Sequence, residues 1–348
     1  MPAWRKSIIL LIASACLAAA ADPLLLNRMS PQTRVLAGAD ISRFAASPFG
    51  RSLLSQLQAS EPQFAALTKL VGFDPLRDLQ EILVASAGNA KDNRGLLLMR
   101  GIFDPARIQA LARQSSSVVE TYQGVPVMHD KQKADPWFAF VDSTTAALGD
   151  AQSVREMIGR GAAGPGPDPK LVSRANETGA QYDFWFVSAV PAANLSGNVS
   201  NPQLNGIMQG DIVRNVVDTA GGIKFGPDIE IGLQAMTRAD KDAAALAEVF
   251  KFFIGVVQMS AQKNPAAASS MTFLQRLSLK TEGNIFSVSL TIPEAELQKL
   301  IRQATAAVKP QAAAGSRPAP AAPRQSAPAD GGIVIQSSPK DMGTVVIK

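Results

Sequence analysis

Between Gly159 and Pro169 the chain reads GRGAAGPGPDP, four glycines and three prolines in eleven residues. Glycine carries a large entropic cost inside a helix or strand, and proline lacks the amide donor that both need. No regular element crosses such a stretch, so it divides the chain. The order of elements on its two sides is similar, and that order is what the fold must accommodate.

Before the break, residues 34–40 read as a strand and Ser47-Pro48 as an N-cap followed by proline at the first helical position. Phe49, Leu53, Leu54 and Leu57 share a face of the helix that follows, and a second short helix carries Phe64, Leu67 and Leu70. Asp74-Pro75 and Asp104-Pro105 repeat the cap-and-proline start. Between them, the apolar runs 81–87 and 95–103 flank Gly88-Asn89 and Asp92-Asn93, a hairpin signal. A helix around Ile108 and Leu111 leads to strand-like stretches at 118–122, 125–129 and 137–148, and Gly149-Asp150 opens a helix bearing Val154, Met157 and Ile158.

After the break come a strand over 182–190, a helix over 203–217 and a strand over 228–237 that alternates as a half-buried strand should. A long helix runs from 239 to about 262, and the stretches 277–281 and 285–292 flank Gly283-Asn284 as a hairpin. Thr291-Ile292-Pro293-Glu294 has the form of a capping box for a last helix with Leu297, Leu300 and Ile301. The expectation is an α+β fold: two similar halves of mainly antiparallel sheet with packed helices, the shared element order read as an internal duplication. The boundaries that follow are a signal peptide at 1–20, halves at 21–158 and 171–308 separated by the loop 159–170, an Ala/Pro-rich linker at 309–332 and a short β-like tail at 333–348.

The two ends carry the signals for destination. Trp4-Arg5-Lys6 is a basic start, the run from Ser7 to Ala20 is uncharged, and Ala18-Ala19-Ala20 supplies small side chains ahead of Asp22. These are the three parts of a secretory signal peptide, too short for a membrane span, with cleavage expected after Ala20 or Ala21. Cys16 admits a lipoprotein reading as the alternative, although Ala13 stands where a leucine-like residue is usual. The expected location is the periplasm or the extracellular medium, with no transmembrane segment once the signal is removed.

Ordinary cleavage leaves a chain without cysteine, which excludes disulfides, thiol catalysis and cysteine-held metals. The formal charge is +5, yet Arg5 and Lys6 supply two of these charges and the stretch from Lys309 supplies a net three. The body between is neutral, so no nucleic-acid partner is expected. His129 is the single histidine, which limits triads and metal sites to one imidazole; a surface position is the expectation for it. Gly159 to Gly164 formally matches G-x-G-x-x-G, but a helix precedes it and prolines follow, which is the wrong context for a dinucleotide fingerprint. Ser337-Ser338-Pro339-Lys340 matches S-x-x-K only by chance. Asp228 and Glu230 share a strand face, and their alternation with Ile229 and Ile231 reads as a solvated face rather than a hydrolytic pair. The helix around Phe250, Phe252, Phe253, Ile254, Val256 and Val257 is apolar nearly all round, as a core helix is; the sharper reading has it lining an apolar cavity or meeting lipid.

At Gly72-Phe73-Asp74-Pro75-Leu76-Arg77-Asp78-Leu79, at Gly101-Ile102-Phe103-Asp104, and from Leu171 to Glu177 before Tyr182-Asp183-Phe184-Trp185, the chain resembles a group of exported bacterial proteins of unknown function. That resemblance implies an exported α+β body and brings no catalytic residue. The resulting expectation is a non-enzymatic binding or interaction protein of the bacterial envelope, without catalytic, cofactor-binding or metal residues and without a cofactor. Its partner would be an envelope protein or an apolar small molecule. A carrier of an apolar molecule and a carboxylate-dependent hydrolase are the alternatives. A deep cleft of convergent acids would mark the hydrolase, and a continuous apolar groove would mark the carrier.

Overall fold

Local capping sets where the helices begin. In the computed structural model, which describes residues 21–60, 72–89, 94–114, 117–133, 135–191, 211–263, 273–299 and 301, aspartates accept hydrogen bonds from first-turn amides at one helix start after another. Asp22 caps α1 (Pro23–Leu26), Asp40 caps α2 (Ile41–Ala46), Asp150 caps α6 (Ala151–Arg160) and Asp168 caps α7 (Pro169–Gln181). Ser47 Oγ accepts from the Gly50 amide at 2.9 Å at the start of α3 (Pro48–Ser60), and Asp104 accepts from the Arg107 amide at 3.0 Å at the start of α5 (Pro105–Gln114). The other helices are α4 (Pro75–Asp78), α8 (Asp211–Arg214) and α9 (Asp240–Lys263), and residues 294–299 are also helical, as the last helix was expected to be. The signal, the helix with Phe64, the Asp92-Asn93 turn, the linker and the tail lie outside the described residues. Residues 21–299 fall in the first of two units, and of the second, which starts at Ile301, only that residue is described.

Twelve strands form one sheet: β1 (Val35–Asp40), β2 (Leu79–Ser86), β3 (Gly95–Gly101), β4 (Ser117–Tyr122), β5 (Val125–Asp130), β6 (Trp137–Phe140), β7 (Thr145–Gly149), β8 (Phe184–Ser188), β9 (Val216–Phe225), β10 (Asp228–Thr237), β11 (Leu277–Glu282) and β12 (Ile285–Pro293). Their spatial order is β11-β12-β10-β9-β8-β1-β2-β3-β7-β6-β5-β4, and the paired neighbours run antiparallel. The α+β expectation therefore holds, with both halves in one sheet joined through β1 and β8. Outward from that pair each half runs strand, hairpin, then the last strand of the half beside the hairpin's outer strand. The return contains four strands in the first half and two in the second.

Several boundaries differ from the sequence reading. The stretch 137–148 is two strands, because Asp142 Oδ1 accepts from the Thr144 amide and hydroxyl, each at 2.8 Å, and folds 141–144 into a turn. Val216 and Val217 belong to β9 rather than to a helix, and of the expected helix over 203–217 the described part is α8. The capping box does not form: β12 continues through Pro293, and the Glu294 amide donates to the Pro227 carbonyl at 3.2 Å. Helix α7 was not expected at all, although Asp168-Pro169 is the same start signal as Asp104-Pro105.

On one face, here the back, α1, α6 and α7 cover a core in which Leu25, Leu36, Leu83, Leu98, Val154 and Val187 are fully buried. Burial of each such side chain contributes about 1.5–3 kcal/mol. Glycines shape this layer. The Trp185 indole fills the space that a side chain at Gly38 would need, and an added Cβ at Gly179 on α7 would lie 3.0 Å from Trp185 Nε1. Tyr182 covers Gly222 and Gly232 in the same way. Polar ties add to the packing: Arg174 on α7 donates to Gln234 at 2.6 Å, and Arg160 on α6 donates to the Arg28 carbonyl at 2.9 Å.

A Gly38→Val substitution is expected to destabilise the fold by about 1–3 kcal/mol through overlap with the indole. Gly255→Ala, at a helical position in α9 with nothing within 4 Å of the added methyl, is expected to stabilise it by about 0.5–1 kcal/mol. Urea unfolding of the two variants beside the parent checks both signs.

Candidate functional site

In an antiparallel sheet with one covered face, the other face is ordinarily polar. Here the register puts apolar side chains on the front face as well. One cross-strand row runs Met99, Ile82, Ala39, Phe184, Ile223, Ile231. The next runs Leu97, Val84, Ala37, Phe186, Gly221, Leu233. Among the described residues, helices cover only parts of this face. At one side α5 lies over a cluster of Met99, Phe103, Met128, Phe140 and Ala146. At the other, Ala243, Leu246 and Ala247 of α9 pack on Ala235, Val216 and Phe286. Below, Phe44 of α2 and Phe49 of α3 close on Phe184 and Phe225 with ring centroids 4.9–5.5 Å apart.

The middle of β2, β1, β8, β9 and β10 stays open as a trough of about 540 Å³ lined by Ala37, Ile82, Val84, Phe186, Ile231 and Leu233 among others. Val84, Phe186, Ile231 and Leu233 are each 36–39% exposed although they point from the centre of a sheet. Gly221 deepens the floor, since a Cβ there would press on the Phe186 ring at 3.1 Å. Among the described residues no charged side chain lines the trough. A volume of this size lies in the range of small-molecule sites, and contiguous exposed apolar surface marks a binding surface.

Helix α9 has a second apolar stripe. Phe250 packs inward on Phe286 at 5.0 Å, whereas Phe252 and Met259 are 70% and 61% exposed, with Phe253 and Val256 beside them. The core reading of this helix therefore holds for its inner side only.

A polar recess of about 210 Å³ lies at the end of β1 and the start of β2, lined by Ala21, Asp40, Ser42, Arg43, Gln80, Glu81 and Arg100 together with Trp185. Arg43 pairs with Asp40 at 2.8 Å and with Asp183 at 3.2 Å, and Arg100 pairs with Asp22. Glu81 Oε1 accepts from the Asp22 backbone amide at 3.2 Å. Burial, reinforced by repulsion from Asp22 and Asp40 and only partly offset by the Asp22 amide hydrogen bond and by Arg100, pushes the Glu81 carboxyl up to about 7. Sequence reasoning missed this group, because its members come from positions 22, 40, 43, 81, 100 and 183 and no spacing connects them all.

The residues singled out in the sequence stand elsewhere. His129 is half-buried; it stacks on Trp137 with centroids 5.1 Å apart, and its Nδ1 lies 2.9 Å from the Asp130 carbonyl. Arg155 lies over the same Trp137 ring at 4.2 Å, so this is a packed stack. Asp228 and Glu230 face water, Glu230 with Lys224 at 3.3 Å. Gly159 ends α6 with Arg160, and Gly161 adopts φ 63° as the C-cap, so the formal G-x-G-x-x-G is a helix terminus. Ser337 to Lys340 lie outside the described residues. Among the described residues no three His, Asp or Glu side chains stand as a metal-holding group, and no helix is long and apolar enough to cross a membrane.

Neither a protein-family model nor a curated protein matches the sequence. Among solved structures, the chain is similar to crystal form III of TP0453 at 11% identity and a TM-score of 0.49, over 79% of this chain and 96% of that one. Crystal form IV gives 11% and 0.49 over 82% and 97%, and crystal form I gives 10% and 0.46 over 82% and 98%. At that level the likeness carries no argument about function.

Because the folded-state carboxyl of Glu81 titrates above its unfolded value, its contribution to stability is complete below about pH 4.5 and is lost as pH rises through about 7. In the full-length chain Glu81→Gln is expected to remove that decline and to raise stability at pH 8 by about 1–2 kcal/mol, after discount for partial solvent screening. Urea unfolding between pH 4.5 and pH 8 measures it.

Proposed function

We propose that this chain is an exported, non-enzymatic binding protein of the bacterial envelope and that its central sheet face takes an apolar, acyl-like molecule. The observation that carries this reading is the block of four adjoining large apolar side chains, Val84, Phe186, Ile231 and Leu233, left open between α5 and α9. Exposure of that area to water is unfavourable by about 25 cal/mol per Å², which an inserted hydrocarbon chain removes. A lining almost without polar atoms selects for hydrocarbon rather than for a polar metabolite. The hydrolase reading is the weaker one, because the clustered carboxylates lie in the recess around Glu81 and not along the trough. Export is supported by the basic start, the apolar run and the small residues before Asp22. The outer stripe of α9 supports contact with a lipid surface, where Phe252 and Met259 would be buried.

Protein purified without detergent and examined by native mass spectrometry is expected to carry acyl-bearing lipid; a protein that is empty and fails to take up dansyl-undecanoic acid would overturn the carrier reading. Val84→Lys and Leu233→Lys are expected to weaken dansyl-undecanoate binding at least tenfold, which corresponds to about 1.4 kcal/mol. Their unfolding midpoints should stay near the parent's, since both positions are partly exposed. Phe252→Ser together with Met259→Ser should leave dye binding intact and reduce co-sedimentation with phospholipid vesicles.

A further inference from the structure

The junction at which the sequence places removal of the leader, after Ala20 or Ala21, is also where the chain enters the polar recess. Ala21 lines that recess, is 3% exposed and packs in the back core, which argues that it stays on the chain and that the cut falls before it. The next backbone nitrogen, that of Asp22, already lies 3.2 Å from Glu81 Oε1, a contact across 59 residues of sequence.

The charges facing this point do not balance. From α1 and its cap comes Asp22, from β1 and α2 come Asp40 and Arg43, from β2 comes Glu81, from β3 comes Arg100, and Asp183 precedes β8. Two guanidinium groups meet four carboxyls. Asp22, Asp40 and Asp183 each pair with an arginine, and Asp183 also accepts from the Phe225 amide at 2.7 Å. Glu81 has the single bond from an uncharged amide. Arg100 acts on it electrostatically but is paired with Asp22, so among the described residues this partly buried carboxyl has no ion-pair partner of its own.

We infer that the recess is a receptor for the chain's own amino terminus: the α-ammonium released when the leader is cut beside Ala21 docks on Glu81. Hydrolysis of that peptide bond replaces an amide, one neutral donor, by an ammonium with three donors and a full charge. Held here, it supplies the missing cation and fixes the segment from Ala21 to Leu26 against β1 and β2. A cut one residue later places the ammonium on the Asp22 nitrogen itself, at the same carboxylate. The docking also reverses the role of Glu81, from a group whose ionisation weakens the full-length chain to one whose ionisation strengthens the processed chain. This inference rests on the export reading above.

The test uses the processed protein recovered from the periplasm of a Gram-negative host that expresses the full-length gene product. Intact mass first gives the new terminus, expected at Ala21. The α-amine is then labelled with acetic anhydride across pH 6–10, in the parent and in Glu81→Gln. Docking predicts an α-amino pKa above the ordinary ~7.7–8.0 and labelling at pH 8 at least tenfold slower in the parent than in the variant. It further predicts that Glu81→Gln lowers the melting temperature of the processed protein at pH 8 while raising that of the uncut precursor. A product that begins elsewhere overturns the cleavage reading and this proposal with it. A product that begins at Ala21 or Asp22 but labels equally fast in parent and variant overturns the docking alone. Should Glu81→Gln not fold, the parent's α-amine is compared with that of a free peptide of the same first six residues, and equal rates overturn the docking.

Discussion

Pairing between β1 and β8 is the contact on which the rest of the molecule depends. Each half on its own would leave this strand as an unpaired edge, and exposed edges invite association with other chains. The antiparallel ladder from Val35 with Ser188 to Ala39 with Phe184 joins the halves into one sheet, and the Gly38–Trp185 neighbour pair locks its back face. The indole fits only because Gly38 and Gly179 have no side chain, so β1, β8 and α7 are fixed by a single packed group. Everything outward, five strands counted from β8 and seven from β1, inherits its register from this pair.

A sheet of this width has more face than its helices cover. The back receives α1, α6 and α7 around a dry core. The front receives helices at its sides, where α5 and α9 close separate clusters, and an aromatic knot of Phe44, Phe49, Phe184 and Phe225 at one end. What lies between is apolar by sequence and open by geometry. That combination, rather than any catalytic group, is why the trough bears the functional reading: carboxylates and arginines are spent on one another elsewhere, and the single histidine is stacked on Trp137.

The polar recess shows a different use of buried charge. Its acids are gathered from several elements, and three of them are satisfied by two arginines. Glu81 alone relies on a backbone amide close to the expected processing junction. If the leader is removed as proposed, a charge deficit beside the cleavage point would couple the covalent state of the chain to the stability of its first helix and first two strands.

Much of the secondary structure was legible from local chemistry. The Ser/Asp-Pro starts gave α3 and α5, the alternation of Ile229, Ile231 and Leu233 gave β10, and Gly283-Asn284 gave the β11–β12 turn, where Gly283 takes φ 55°. Where local signals misled, a competing bond was the cause: a local one at Asp142, and at Glu294 a tertiary one to the Pro227 carbonyl, 67 residues away. The trough was not legible in the same way. The period-2 pattern of β2 or β8 says that alternate residues share a face, but whether that face is covered depends on where α5 and α9 come to rest. The Glu81 recess was hidden for a related reason, since six charged residues separated by up to 161 positions meet only after β1, β2, β3 and β8 align. By itself the sequence determined most of the elements and caps and the near-neutral charge of the body, because these depend on neighbours in the chain. Only the tertiary structure decided which apolar face stays open and which acid lacks a cation, because burial and charge balance are set by neighbours in space.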